Sequence, residues 1–487
     1  MVVNKGLDGC PPFFCRKKMR KISPIGNIVV ALWLAVFASC NKTPGYLHEA
    51  ALNFSTDTLT FDTVFTTVGS TTKYFTAINN RSQDIYLDKI YLAGGSASPF
   101  RLNIDGVVST SVSDVVIPAN DSIFIFVEVT VNPTNANSPM VVEDSVVFVA
   151  EGSQKSVQLV AWGQDVHLFE NYVLQHDTVW DNDKPYLIYG YIYVDSGTVL
   201  TINQGCRIHL HHASSIYVQG KLIVNGTLDE PVTFQGDRLE AFYEDIPGQW
   251  DRIAFFQGSK GNVINYAVIK NSIIGIQTGE TPDYNDFSEV SLNNVKIFNT
   301  NYAGIFSLGG HITAQNTIVA NSGFYEMALL IGGNYNFLHC SVNNFWTYSH
   351  RTEASVLLSN NLVVDGVLYA GNMNVLFGNS IIYGDRDDEL EVSVETSGQL
   401  TAKFNNCLIK TASYSPTDTI YFNPACLFNV NPGFVAPEDY DFHLKYGSYC
   451  INKGDNAYGY AVPVDYDGNN RTLDAAPDLG AFEYVEQ

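Results

Sequence analysis

Between Asn294 and Lys410 six short segments repeat one pattern, a polar residue followed by two or three strand-forming ones: Asn294–Ile297, Asn316–Val319, His339–Val342, Asn361–Val364, Asn379–Ile382 and Asn406–Ile409. Their leading residues are 22, 23, 22, 18 and 27 positions apart, the period of a solenoid that contributes one coil per repeat. In a right-handed parallel β-helix, equivalent residues of successive coils stack at the strand spacing of about 4.8 Å, so a turn asparagine meets its counterparts above and below. An amide side chain both donates and accepts, which suits such a ladder. The expected ladder is therefore Asn294, Asn316, His339, Asn361, Asn379 and Asn406, with His339 filling an asparagine position.

The remainder of the 487-residue chain reads the same way. Tyr (28) and Phe (29) are abundant and short β-rich runs alternate with Gly and Asn turns, which favours all-β structure. Residues 1–39 form an address: Arg16, Lys17, Lys18, Arg20 and Lys21 precede an apolar run from Ile25 to Phe37, and Phe37-Ala38-Ser39-Cys40 closes it. That order resembles a bacterial lipoprotein signal whose lipobox cysteine is Cys40, with Phe37 in place of the usual Leu. The resemblance implies an outer-membrane lipoprotein of the cell envelope, lipidated at Cys40 and tethered through residues 40–51. Met19 offers a more ordinary start, which would make residues 1–18 an upstream extension.

Removing residues 1–39 takes away six of 27 Lys and Arg and one of 50 acids, leaving 21 against 49 and a net charge of −28. A surface this acidic repels phosphate backbones and excludes nucleic acid as a partner. It is compatible with Ca²⁺, the one cofactor the composition leaves open, without defining a site. Five cysteines follow Cys40, an odd number with no metal-ligand spacing; Cys340 and Cys407 read as small coil-filling residues.

Residues 52–166 break into strand-like runs, among them Thr58 to Val64, Lys73 to Ile78, Ile85 to Leu92, Ser122 to Val131, Glu143 to Val149 and Ser156 to Trp162. Six or seven such strands in just over a hundred residues predict an immunoglobulin-like sandwich. Phe61 to Ser70, Ala77 to Asn80 and Pro99-Phe100 resemble the abnormal-spindle/hydin type of that fold, which implies a spacer or interaction module.

The order Ile192 to Ile208, Ile216 to Thr227, Pro231 to Phe234, Gly248 to Ile253 and Tyr266 to Asn271 resembles the opening coils of bacterial parallel β-helix proteins in the pectin-lyase-like superfamily, and places the solenoid at 180–430. Asn431 to Phe434, Tyr440 to Leu444, Asp465 to Gly468, Arg471 and Pro477 to Glu483 are similar to the closing segment of surface β-helix proteins of the Bacteroidetes type, so residues 431–487 are expected to cap the solenoid.

Superfamily resemblance raises polysaccharide cleavage, yet chemistry has to be argued from residues. A lyase needs a base beside an acidic sugar, and a hydrolase needs paired carboxylates. The densest acidic group, Asp385, Asp387, Asp388 and Glu389, could hold Ca²⁺ or be a solvated loop. His209 and His211 share one side of a strand, a spacing open to a metal. Lys270, Lys296, His311 and Arg351 are further bases that no pattern brings together. Tyr302, Tyr325, Trp346 and Tyr348 fall between coils, where rings could stack on sugars. The resulting expectation is a lipid-anchored wall that binds polysaccharide or cell-surface glycan without cutting it, the alternative being a polysaccharide lyase or glycoside hydrolase.

Overall fold

A computed structural model describes residues 45–48, 51–134, 139–279, 286–473 and 475–486. Residues 1–39, expected to be a lipoprotein signal, and Cys40 lie outside the described residues. The chain separates into two compact units, one built from residues up to Leu59 with 74–127 and 144–158, the other from 60–73, 128–143 and 159–487.

Two five-stranded sheets make the immunoglobulin-like sandwich. One orders Asn53–Phe54, Lys73–Asn79, Asp121–Val129, Phe100–Ile104 and Val107–Val108; the other orders Thr58–Phe65, Ser153–Gln164, Met140–Ala150, Ile85–Leu92 and Ser111–Ile117. In Asp121–Val129 the residues from Ile123 onward bury every second side chain, which is the period-2 signature of a sheet with one face inward. Phe75, Ile85, Phe100, Ile125 and Phe148 are fully buried between the sheets. Ser111–Ile117 buries only its last residue, so alternation alone gave no sign of it.

The solenoid is one 25-stranded parallel sheet wound into coils with three faces. Its first strand is His167–Leu174, paired in parallel with Tyr186–Val194, so the solenoid begins earlier than the expected Trp180. That strand is largely exposed and buries only Leu174, so it lacks the inward alternation that marks a coil strand. Inside, residues in register form continuous apolar columns: Ile202, Val224, Ile264, Leu292, Ala314, Phe337, Phe377 and Phe404 follow one another from coil to coil. The phenyl rings at the end of this column stack at 4.7 and 5.2 Å. Cys206, Cys340, Cys407 and Cys426 are buried and unpaired, their thiols set against carbonyls of the preceding coil.

Asn294, Asn316, His339, Asn379 and Asn406 all turn the chain with φ between 47 and 55°. Asparagine tolerates this left-handed region better than most residues, so the ladder position is chosen by backbone geometry as well as by hydrogen bonding. Asn316 Nδ2 donates to Asn294 Oδ1 at 2.9 Å, Asn379 Nδ2 meets His339 Nε2 at 3.1 Å, and Asn423 Nδ2 donates to Asn406 Oδ1 at 2.9 Å. Asn361 is a correction to the expected ladder. It opens an antiparallel hairpin, Asn361–Val364 with Val367–Ala370, inserted into the coil that separates His339 from Asn379. A polar residue before β-formers begins a hairpin strand as readily as a coil strand, and Asn361 lacks the positive φ that marks the turn. Asn423, absent from the expected set, extends the ladder instead.

A second line of left-handed asparagines was missed. Asn271, Asn299 and Asn321 have φ of 69, 57 and 58° and lie five residues after Tyr266, Asn294 and Asn316, at the next corner of the same coils. The repeated Asn-Ser or Asn-Thr at these positions was the available signal.

Residues 431–487 cap the solenoid along its flank. Phe434, Phe442, Leu444, Tyr466 and Phe482 pack on the outward residues Ile318, Ala320, Ile381 and Leu408. The expectation was a cover over the open end; there the closure comes from Tyr414, Tyr421, Phe422 and Phe428, packed on the terminal apolar column. The tail is fastened to the ladder itself. Arg471, fully buried, ion-pairs with Glu483 and donates to Asn316 Oδ1 at 2.9 Å; Asn379 exchanges bonds with the backbone of Asp455, and Asn406 donates to Lys453 O.

Replacing Asn316 by Ala removes an acceptor from a buried guanidinium and places a less tolerant residue in a left-handed turn. Chemical denaturation should show a loss of about 2–4 kcal/mol. Asn361→Ala, on the exposed hairpin, should cost less than about 0.5 kcal/mol. Equal effects would contradict the assignment of the ladder.

Candidate functional site

In-register stacking also builds columns on the outside. On the face formed by Ser215–Val218, Ile253–Phe255 and Ile274–Thr278, one outward column runs Val173, Tyr193, Tyr217, Ala254, Gln277, Phe306. Tyr191 lies two residues before Tyr193 on the same strand, and Phe256 immediately follows the next coil's strand. The rings come together: Tyr217 and Phe256 stack at 5.4 Å with 26° between planes, Tyr193 and Phe256 are 6.1 Å apart, and Tyr191 and Tyr217 are 6.2 Å apart. With Asp251, Arg252 and Gln277 they line an open groove of about 560 Å³.

The polar strip of this groove is fixed by its own bonds. Asp251 Oδ2 accepts from Ser215 Oγ at 2.8 Å, and Oδ1 accepts from Arg252 Nε and Nη2 at 2.9 and 2.8 Å. Arg252 Nη1 donates to Gln277 Oε1, whose amide nitrogen is held by Gly279 O. The sequence reading missed this site because its residues, from Tyr191 to Gln277, are spread over 86 positions. The usable signal was the outward alternation of Tyr191, Tyr193 and Tyr217 in strands whose inward residues are Ile192, Val194, Ile216 and Val218.

Of the residues proposed for sugar stacking, Tyr302 and Tyr325 lie farther along this face, in a ring cluster with Phe306 and Phe324 at centroid distances of 5.3–6.1 Å. Tyr325 OH reaches Glu353 at 3.4 Å, and Phe324 is exposed. Trp346 and Tyr348 sit in the loop after Ser341–Asn344, their rings 5.1 Å apart; the Trp346 indole donates to Ser349 Oγ and Tyr348 OH to Asp245 O. The structure brings Trp346 together with Asp385, Asp387 and Asp388, which line one cleft of about 630 Å³ with His350, Arg351 and Arg386.

Glu389 does not belong to that cleft as a ligand. It is fully buried, ion-paired with Arg351, and accepts from Ser355 N and Oγ at 3.1 and 2.6 Å. Asp388 is also engaged: burial opposes its charge, but bonds from Thr411 Oγ1 and the N–H groups of Ser413 and Ala412 outweigh this and hold its carboxyl below the usual range. Only Asp385 and Asp387 project freely, and burial raises the Asp385 carboxyl. The four acids therefore do not converge on a cation, because two serve as internal acceptors. Among the described residues no set of three or more His, Cys, Asp or Glu side chains is arranged to hold a metal.

The remaining candidates disperse. His209 is buried, bonded to Gly236 O at 3.0 Å and pushed down to about 4 by burial, while His211 pairs with Asp237 at 2.7 Å. Lys296 lies over the Tyr466 ring at 4.5 Å, and burial lowers its pKa. His311 bonds Asn334. Asp465 accepts from the backbone of Asp467, Asn469 and Glu483 and so holds the tail's own turn.

One buried acid was not anticipated. Glu326, with no exposed surface, lies with its carboxyl oxygens 2.9 Å from Ser322 N and 2.6 Å from Ser322 Oγ. Burial pushes it up to about 8; the Ser322 bonds and Arg351 only partly oppose that, and Glu389 reinforces it.

No family model matches the chain, and no curated protein matches it in sequence. Among solved structures the chain is similar to the ASH/PapD-like domain of human CEP192, at 12% identity and a TM-score of 0.17, covering 26% of this chain and 91% of that one.

Two measurements probe these assignments. Glu389→Ala should destabilise by about 3–5 kcal/mol because it strands a buried guanidinium, whereas Asp387→Ala should cost less than about 0.5 kcal/mol and Ca²⁺ should leave the melting temperature of the wild type unchanged. Glu326 keeps its proton in the folded chain between its unfolded pKa near 4.5 and its folded value near 8. Stability from this group is thus complete below 4.5 and falls by up to roughly 1.4 kcal/mol per unit as pH rises through 8. Glu326→Gln should flatten that slope in denaturation series at pH 5, 7 and 9; an unchanged slope would show that Glu326 titrates normally.

Proposed function

We propose that this protein is a cell-envelope lipoprotein whose β-helix wall binds glycan without cleaving it. The observation that carries the reading is the groove at Tyr191, Tyr193, Tyr217 and Phe256, where ring faces from successive coils stand beside a prearranged strip of Asp251, Arg252 and Gln277. Pyranose sugars present an apolar C–H face to an aromatic ring and hydroxyls to fixed donors, and shallow sites built this way recognise them. The more distant cluster at Tyr302, Phe306, Phe324 and Tyr325 extends the same wall for a chain-like ligand.

Binding without turnover follows from how the groove's acid is used. Hydrolysis takes two carboxylates, one of them able to hold a proton for the leaving group. Among the described residues Asp251 is the one carboxylate of the groove, and it is ion-paired with Arg252 and accepts from Ser215 Oγ. The basic and apolar order before Cys40 supports lipid anchoring in the envelope, with the sandwich serving as a spacer between lipid and wall.

Tyr217→Ala should weaken retention on the bound polysaccharide roughly tenfold in affinity electrophoresis, the loss expected when one ring platform is removed. Incubation with the same polymers should release no reducing ends and no unsaturated uronates; release that Asp251→Ala abolishes would establish an enzyme. Cys40→Ala should move the protein from the membrane fraction to the soluble one, and a variant that stays membrane-bound with its lipid label would remove the anchor assignment.

A further inference from the structure

Granted that the groove binds glycan, the charges inside it specify which chemical class. Among the described residues lining it only Asp251 and Arg252 are ionised, and they are bonded to each other through Nε and Nη2. Their side chains are 19% and 28% exposed, so the pair faces the groove as a dipole with no net charge. Arg252 has five N–H donors; two go to Asp251 and one to Gln277. Two remain to donate to hydroxyl or ring oxygens.

We infer that the groove takes an uncharged glycan, a polymer of neutral hexoses or pentoses without carboxylate, sulfate or ammonium groups. A site for uronate or sulfate requires a cation whose charge is not already compensated. Here the single guanidinium is neutralised by its neighbour, and the chain outside the groove carries a formal charge of −23 that repels a polyanion on approach. An amino sugar would need a carboxylate whose charge is not already compensated, and Asp251 is paired with Arg252 and bonded to Ser215, with one lone pair of Oδ2 left. What the groove offers is ring faces and neutral-pair hydrogen bonding, the complement of a hydroxylated, uncharged chain.

The test is affinity electrophoresis and calorimetry of the purified full chain against neutral polymers (mixed-linkage β-glucan, galactomannan, arabinoxylan, α-glucan) and charged ones (polygalacturonate, alginate, chondroitin sulfate, chitosan). Binding to a neutral polymer is expected. It should change less than about twofold between 0.05 and 0.5 M NaCl, since no counterions are displaced, and should weaken roughly tenfold in Tyr217→Ala. Asp251→Asn frees the Arg252 charge and should create retention on polygalacturonate that the wild type lacks; circular dichroism and a melting curve check that both variants keep the fold. Salt-sensitive binding to a polyanion that Tyr217→Ala abolishes would overturn the neutral-ligand inference while leaving the groove as the binding site. Absence of the new retention in folded Asp251→Asn would remove the charge-balance argument. Wild-type binding to none of the polymers, or binding that Tyr217→Ala does not affect, would take down the groove reading and this inference with it.

Discussion

Everything in the solenoid depends on one constraint, that equivalent residues of successive coils stack in register at the strand spacing. Parallel pairing fixes the register, and the register turns a periodic sequence into columns. Inward columns of Ile, Val, Leu and Phe make the core; the corner column makes the asparagine ladder; outward columns make the groove. A substitution is therefore felt through its column, which is why the same residue type has different consequences at Asn316 and Asn361.

The ladder is also where the coils and the tail are joined. In a bare stack the asparagine amides would satisfy one another and water. In this chain Asn316, Asn379 and Asn406 also bond the tail, and the fully buried Arg471 is anchored both to Glu483 and to Asn316. Two charges inside a protein are tolerated only when each is paired and further hydrogen-bonded. Arg471 meets that condition only when the tail lies on the flank of a correctly stacked solenoid, so the pair links the order of the tail to the order of the coils. Arg351 and Glu389 play the equivalent part at another corner, and their burial draws Glu389 out of what reads in sequence as an acidic cluster.

The outward columns of the groove have the opposite property, since no tail residue covers them as it covers Ile318, Ala320, Ile381 and Leu408. Rings at Tyr193, Tyr217 and Phe256 are half-exposed because the next layer is solvent, and the polar groups beside them are already bonded to each other. A surface whose polar groups are fixed in this way would need little rearrangement to receive the proposed ligand, which limits the ordering cost of binding.

The sequence by itself determined the all-β class, the coil period and five of the six ladder positions expected from it, because a parallel β-helix writes its period directly into residue spacing and asparagine is favoured at a left-handed corner. It could not separate Asn361 from the ladder, since a hairpin strand and a coil strand begin alike over four residues. It could not tell that Asp388 and Glu389 are internal acceptors, nor that Trp346 shares a cleft with Asp385 and Asp387, because burial and convergence depend on loops from different coils. Tyr193, Tyr217, Phe256 and Gln277 became neighbours only when residues spread over 84 positions were stacked on four successive coils. Registration across coils is a tertiary property, and the site exists only through it.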